Sequence, residues 1–476
     1  MLSKLLAIAT CLLVPAVSLA SEGAAVGHEG GVHQLGEILP LWSVAPFAGL
    51  LLSIAIMPMV IPHWWHSNRN QLITALGWAS PVLIYLIYKM VTDHGPLGHD
   101  AEHQLKHALL EYMSFIALLG SLYVISGGIV MRGDLEAKPI VNVTFLAVGA
   151  VLANIIGTTG ASMLLIRPML RTNSQREHIW HIPLFFIFIV SNVGGALTPI
   201  GDPPLFLGYL RGIDFWWTLI NLWYIWIPTV LMLLVMFFLL DTYQYAKESE
   251  QAKLTDRGEI EPLGIDGKRN FWLLGGVILC VLLLSPDHEV HDFRQYYARE
   301  IGMLLLTVGS VLLTPRDYRV RNDFNYAPIL EVAALFIGIF IAMIPATSML
   351  QVHGAALGVT EPWQYFWATG ALSAFLDNAP TYVTFAAMAC GTDPTCITAN
   401  NLAPLSVGEF MPVLAAISLG AVFLGAGSYI GNGPNFMVRA IAEHSGVPMP
   451  SFFAYCGYAA LFLGPVFVVV TLVFLV

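Results

Sequence analysis

The sequence predicts an all-α polytopic membrane protein with an inverted-topology repeat, about ten crossings, two re-entrant hairpins and helices broken at the midplane. Three observations predict this fold: composition, the distribution of Lys and Arg between apolar segments, and an internal repeat. Hydrophobic residues make up 57% of 476 positions, charged residues only 11%, and the mean hydropathy is +0.71. A soluble domain carries about 25% charged residues, so this chain belongs in lipid. The formal net charge of -10 does not imply a basic partner, because in a membrane protein the loop-by-loop placement of Lys and Arg carries the information. No basic cluster with interleaved aromatics occurs, which argues against nucleic acid as a partner. The five cysteines form neither a CxxC nor a zinc spacing.

Residues 1–20, MLSKLLAIATCLLVPAVSLA, have one lysine, a short apolar core and small residues at Ser18 and Ala20. They read as a secretory signal cleaved after Ala20, with an uncleaved signal anchor as the alternative. Either way residue 21 starts outside, and the expected location is a bacterial inner membrane with both mature termini periplasmic. Crossings are expected wherever about 17–25 residues lack charges, the length that spans the hydrocarbon. Such segments lie at 38–61, 71–92, 108–131, 182–210, 215–240, 271–286, 299–314, 328–350, 409–438 and 452–475, with 182–210 and 409–438 interrupted.

Two further apolar segments, 140–166 and 363–390, carry GTTGA at 157–161 and DNAPT at 377–381 near their centres. Basic residues decide how they run. If both are hairpins that return to the side they came from, fifteen loop Lys and Arg lie inside, and only Lys106, Arg211, Arg294 and Arg299 lie outside. Full crossings would flip every loop between them, leaving seven inside and twelve outside. Hairpins are therefore expected, the 157–161 tip reached from the cytoplasm and the 377–381 tip from outside. Irregular backbone at membrane depth survives only where protein or a water-filled cavity surrounds it.

The repeat is visible by direct comparison. LLEYMSFIALLGSLYV at 109–124 matches ILEVAALFIGIFIAMI at 329–344, LANIIGTTGA at 152–161 matches LSAFLDNAPT at 372–381, and TPIGDPPLF at 198–206 matches SYIGNGPNF at 428–436. An odd number of crossings separates corresponding points, so the copies face opposite ways. The halves are expected at 38–240 and 271–476, joined by a charged, flexible cytoplasmic link at 241–270. Inverted repeats with discontinuous helices place a substrate or ion site near the midplane.

GDPP at 201–204 supplies the chemistry. Pro203 lacks an N–H and disfavours helix at Asp202, so the helix unwinds and frees backbone carbonyls beside a carboxylate. That oxygen-rich cage suits a hard cation such as Na⁺, and a carboxylate at this depth needs a partner, water or a proton. Asp202 and Asp377 are the leading ion- and proton-binding candidates, against a plain role as half-helix caps. Asn378, Asn432 and Asn435 either join them or satisfy unwound backbone. Thr158, Thr159, Thr198 and Thr381 either add hydroxyls or bond their own helix carbonyls. Glu111 and Glu331 fall at equivalent positions near the starts of their helices, as proton-handling groups or as interfacial carboxylates.

The pairing of a GDPP loop with a DNxP hairpin resembles the NhaD-type sodium/proton antiporters of the ion transporter superfamily, which also holds citrate, dicarboxylate and arsenite carriers. The resemblance covers about residues 38–476. It implies a homodimer in which each protomer has a scaffold and a mobile part, and no cofactor beyond transported Na⁺. It also implies that each tip packs on the broken helix of its own repeat, giving two Na⁺ sites with one aspartate each, Asp202 and Asp377. The expected function is Na⁺ export, with Li⁺ as a second cation, in exchange for protons; a proton and Na⁺ compete for the same carboxylate oxygens. The alternative is a Na⁺-coupled citrate or dicarboxylate symporter. Against it, the Ser-Asn-Thr signatures of dicarboxylate carriers are absent at the tips and no Lys or Arg lies near either. A membrane enzyme is disfavoured, since no span holds HExxH, GxSxG or paired histidines. DHGPLGHDAEHQLKH at 93–107 offers His99, His103 and His107 at helical spacing, for Zn²⁺, pH sensing or, more simply, a solvated helix. Cys390 and Cys396 would form a disulfide if their loop faces an oxidising periplasm.

Overall fold

The computed structural model describes residues 34–258, 260–284, 293–393, 395–396 and 401–476, so the signal segment 1–20 lies outside the described residues. After the short α1 (Gln34–Ile38), apolar runs form α2 (Ala45–Val60), α3 (Pro62–Trp65) and α4 (Asn68–Thr92). α5 (Pro96–Ser126) begins twelve residues before the expected 108. Pro96 opens it where a missing N–H costs nothing, and no later proline separates the histidine-rich segment from the apolar run. Glu111 therefore stands in the middle of a helix and not near its start.

α6 (Pro139–Thr172) is followed by α7 (His181–Ile189), a 3₁₀ turn at Val193–Leu197, α8 (Pro203–Leu210) and α9 (Trp217–Tyr245). The expected flexible link is ordered. It forms α10 (Glu250–Gly258) and β2 (Glu261–Asp266), which pairs antiparallel with β1 (Val130–Asp134), Met131 opposite Ile265. Side chains pin it down: Asp256 accepts the Ala137 N–H at 2.9 Å and Arg257 reaches Glu136 at 2.9 Å. Charge suggested solvent, but these acids and bases find partners on the neighbouring root of α6.

The second half runs through α11 (Arg269–Leu283), α12 (Phe293–Leu313), α13 (Arg316–Arg321), α14 (Ala327–Ala342), α15 (Ile344–His353), α16 (Pro362–Phe375), α17 (Asn378–Cys390), α18 (Met411–Leu424), α19 (Gly433–His444) and α20 (Phe452–Val470). Among the described residues, seven helices are long and apolar enough to cross a membrane, or eight when α14 and α15, bent by 42°, count as one. Ten crossings were expected from the sequence. Of the expected crossings, the break cuts 182–210 into short pieces, and α11, with 15 residues, and α12 are not among the seven; the seven do include α6, the first hairpin, and a helix at Gly408–Gly427 from the 409–438 segment. This is an all-α polytopic membrane protein, with one small two-stranded sheet among the described residues.

Both hairpins are visible in the packing. Asn142 and Asn173, 31 residues apart at the two ends of α6, exchange amide hydrogen bonds of 2.9 and 2.7 Å. A straight helix would hold them roughly 45 Å apart, so the element reverses at its break. In the other hairpin Gly354, just before α16, lies against Met388 of α17, and Gly391 after α17 lies against the Leu350 and Gln351 backbone. α9 shows that the hairpins enter from opposite ends. Its 29 residues span roughly 43 Å. At its C-terminal end Asp241 bonds Asn142 of the first hairpin's root, while at its N-terminal end the Trp217 indole donates to Ser406, in the chain that follows the second hairpin.

The first root is held by a buried polar network. Asp241 accepts from the Arg176 guanidinium at 2.6 Å, His181 at 2.9 Å and Asn142 at 2.9 Å. Glu248 accepts the N–H groups of Glu177 and His178 at 3.0 and 2.9 Å. Burial opposes ionisation of Glu248, but those N–H groups and then Arg176 outweigh it, so its carboxyl titrates below the usual range. Above this network α7 is buried on every face, with Phe185, Phe186 and Phe188 fully covered, as expected for a helix apolar all round. The breaks that follow it therefore sit inside the bundle.

Candidate functional site

Gly157 reverses the first hairpin with φ +78° and ψ 155°, a conformation open in practice only to glycine. The next residue, Thr158, docks on the GDPP loop: its N–H donates to the Gly201 carbonyl at 2.8 Å and its hydroxyl to the Asp202 carboxylate at 2.7 Å. Gly157→Ala should cost about 1–3 kcal/mol of stability from backbone strain. Its Cβ would also crowd the Ile200 carbonyl at 3.3 Å. Thermal unfolding in detergent checks this, and an unchanged midpoint would show that the tip relaxes freely.

The GDPP break follows from its prolines. Pro203 and Pro204 open α8, while Asp202 is extended at φ -141° and ψ 145°. Its side chain does not cap α8; it accepts three other donors, though the helix N-terminus still favours a negative charge there. Thr198 supports the break from the other side, its hydroxyl donating to the Asn154 carbonyl at 2.6 Å and accepting from the Gly201 N–H at 3.1 Å.

The second half completes the same carboxylate. Asn378, at the start of α17, donates to Asp202 Oδ2, and Asn432 donates to Oδ1 at 2.9 Å. Both hairpins and both breaks thus converge on Asp202, which is only 1% exposed. The expectation of two cages, each with donors from its own repeat, is not what the side chains do. Asn378 and Asn432 turn across to the first repeat because Asp202 lies within amide reach of both. Asp377 is bound differently: its carboxylate accepts the Ala379 N–H of its own half-helix at 3.0 Å. Among the described residues, no Lys, Arg or His forms an ion pair with either aspartate.

The remaining candidates separate by role. Asn435 donates to the Gly425 and Ser428 carbonyls and accepts from Asn192 at 2.6 Å, so it satisfies unwound backbone. Thr381 bonds back to the Asp377 carbonyl at 2.9 Å. Thr159 lines the cavity beside Thr158. Glu111 and Glu331 lie in unlike surroundings: Glu111 is held by a two-pronged contact from Arg211 at 2.7 and 2.8 Å, whereas Glu331 accepts only the Gln71 amide at 2.8 Å among the hydrogen bonds described. The sequence reading missed Asn154 and Asn192. Asn154 donates to the Gly194 carbonyl at 2.6 Å and accepts the Leu197 N–H at 2.8 Å, and Asn192 joins the two breaks. An asparagine inside an otherwise apolar span was the signal for both.

A cavity of about 1250 Å³ leads to this point. Its wall includes Thr158, Thr159, Asp377, Asn432 and Glu331, and Arg167 and Arg171 line it nearer the first hairpin's root. Gly201 and Pro203 border it, so Asp202 lies just behind the wall and Asp377 on it. Both tips therefore open toward the same end, the one rich in Lys and Arg. The sequence reading had them reached from opposite faces; lining by one cavity overrides the direction from which each hairpin enters.

Outside the site, His99, His103 and His107 all lie on α5, the His103 and His107 rings 6.0 Å apart and His107 Nδ1 3.6 Å from Glu111. Among the described residues no group of three or more His, Cys, Asp or Glu is placed to hold a metal ion. Cys390 and Cys396 are joined in a disulfide.

Comparison with known proteins places this geometry in context. A family model described as "Putative citrate transport" matches residues 36–475. The chain is also 26% identical to the "46 kDa membrane protein" of Mycobacterium leprae (strain TN) over 320 residues, 64% of this chain and 70% of that protein.

Proposed function

We propose, for a multi-pass membrane transporter that belongs to the putative citrate transport family, exchange of Na⁺ for H⁺ by alternating access, with Asp202 and Asp377 as the carboxylates that take either ion. The observation that carries this reading is the convergence of two hairpin tips and two helix breaks on a buried carboxylate whose donors among the described residues are all neutral, Thr158, Asn378 and Asn432. Uncompensated carboxylates at the end of a cavity favour a cation over an anion. A bound Na⁺ and a bound proton exclude each other on the same oxygens, so a mobile part that crosses only when loaded exports one and imports the other. The cavity opening toward the basic end corresponds to the cytoplasm-open state, in a dimer in the bacterial inner membrane with periplasmic termini. Conversion of a substrate forms no part of this reading, and no cofactor is required.

A second reading, Na⁺-coupled carboxylate symport, draws on the family description and on Arg167 and Arg171, one helical turn apart on the cavity wall. Arg171 bonds the Gly133 and Met131 carbonyls, and Arg167 lies 3.6 Å from Asp323. Vesicle transport distinguishes the two. Under exchange, the Na⁺ concentration for half-maximal transport rises as pH falls from about 9 to about 6.5, because protons compete for the carboxylates. Half-saturation independent of pH, or Na⁺ uptake that appears only with citrate, would establish symport.

A further inference from the structure

The antiport reading leaves open how protons reach the aspartates, and the cavity wall supplies a candidate. Glu331 stands in the second turn of α14, which packs on α4, and neither helix belongs to the two hairpins or to the breaks that meet at Asp202. Glu331 lines the same cavity as Asp377. Gln71 of α4, 2% exposed, donates to it at 2.8 Å, and the Gln71 carbonyl oxygen is buried with no hydrogen-bond partner. A buried amide oxygen left unpaired is uncommon and costs stability. Here it sits one amide width from a carboxylate, where a protonated Glu331 could donate to it after the amide rotates.

The groups around Glu331 leave it free to take a proton. α4 supplies Gln71, with Arg69 at its exposed start; α5 supplies Tyr112, whose hydroxyl donates to the Ala333 carbonyl at 2.9 Å; α2 has no titratable side chain. The same cavity is also lined by Asp377, His66, Arg167, Arg171, Arg176, Glu177, Asp323 and His444. Its repeat counterpart Glu111 is neutralised by Arg211 and does not line this cavity. The cavity lining is mostly apolar but carries Thr158, Thr159, Asn432 and both carboxylates, and its volume leaves room for water between Glu331 and Asp377.

We propose, resting on the antiport reading, that Glu331 is the fixed carboxylate that passes protons between the cavity mouth and Asp377, with Gln71 as its positioning residue. In one direction Asp377 gives up its proton through water to the Glu331 carboxylate, which releases it to water at the cavity mouth; in the other, Glu331 takes a proton from water at the mouth and an O–H bond forms on Asp377 as it leaves Glu331. Na⁺ binding at the tips does not use this step.

The test separates proton movement from Na⁺ movement in liposomes holding the full chain. Na⁺-driven proton flux is followed with a pH-sensitive dye, and radioactive Na⁺ exchange is followed at equal pH and Na⁺ on both sides. Glu331→Gln keeps an oxygen for the Gln71 amide, so the fold should hold. It should cut proton flux about tenfold or more while Na⁺ exchange stays within about twofold, given what one positioned proton carrier contributes. Glu331→Asp should restore part of the flux, and Gln71→Leu should shift its pH profile with Na⁺ exchange unchanged. Wild-type proton flux in Glu331→Gln, or an equal fall of both fluxes, would overturn the proposal alone. A wild-type protein that exchanges Na⁺ but moves no protons would remove the antiport reading and this inference with it.

Discussion

Asp377→Asn should nearly abolish transport while leaving the fold intact. The only hydrogen bond described for the Asp377 side chain is the one it accepts from the Ala379 N–H, at the start of α17. Asparagine caps a helix as well as aspartate does, so this bond survives the substitution. What disappears is the negative charge facing the cavity. An interaction with a charged group is worth about 1.5–3 kcal/mol, so loss of cation affinity of roughly 10- to 100-fold is expected, with a thermal midpoint close to wild type. Transport normalised to folded protein, beside thermal unfolding, measures both. Full activity would remove Asp377 from the ion path.

Asp202→Asn should lose transport and stability together. Three donors point at this carboxylate, from Thr158, Asn378 and Asn432. An asparagine offers one oxygen in place of two and turns an N–H₂ toward groups that are themselves donors. At least one buried donor is then left unpaired, at a cost of about 1–3 kcal/mol. The thermal midpoint of Asp202→Asn should therefore fall clearly below that of Asp377→Asn. The opposite ranking would mean that Asp202 is not the point that joins the two halves.

Much of the site was legible because breaks in apolar helices are written locally. Pro203 and Pro204 dictate unwinding at Asp202 whatever surrounds them, and Gly157 marks a reversal other residues resist. The hairpins were legible from the placement of Lys and Arg, a property of the whole chain. The link at 241–270 was misread because its charges were taken as evidence of solvent. Asp256 and Arg257 instead meet the Ala137 N–H and Glu136, partners more than a hundred positions earlier. Glu111 and Glu331 looked equivalent because the repeat aligns them, yet one meets Arg211 and the other Gln71.

The sequence by itself determined the solvent, the helical class, the two reversals and the two breaks, because hydropathy, proline and glycine act over a few residues of backbone. Only the tertiary structure decided that three donors, from both hairpin tips and the second break, serve one carboxylate. Hydrogen bonds reach about 3 Å, so which donor finds Asp202 depends on how segments 176 and 230 positions apart pack against it. No local pattern could carry that. Thr158 lies in its own repeat, whereas Asn378 and Asn432 come from the other, and the repeat pairing read from the sequence assigned both to Asp377.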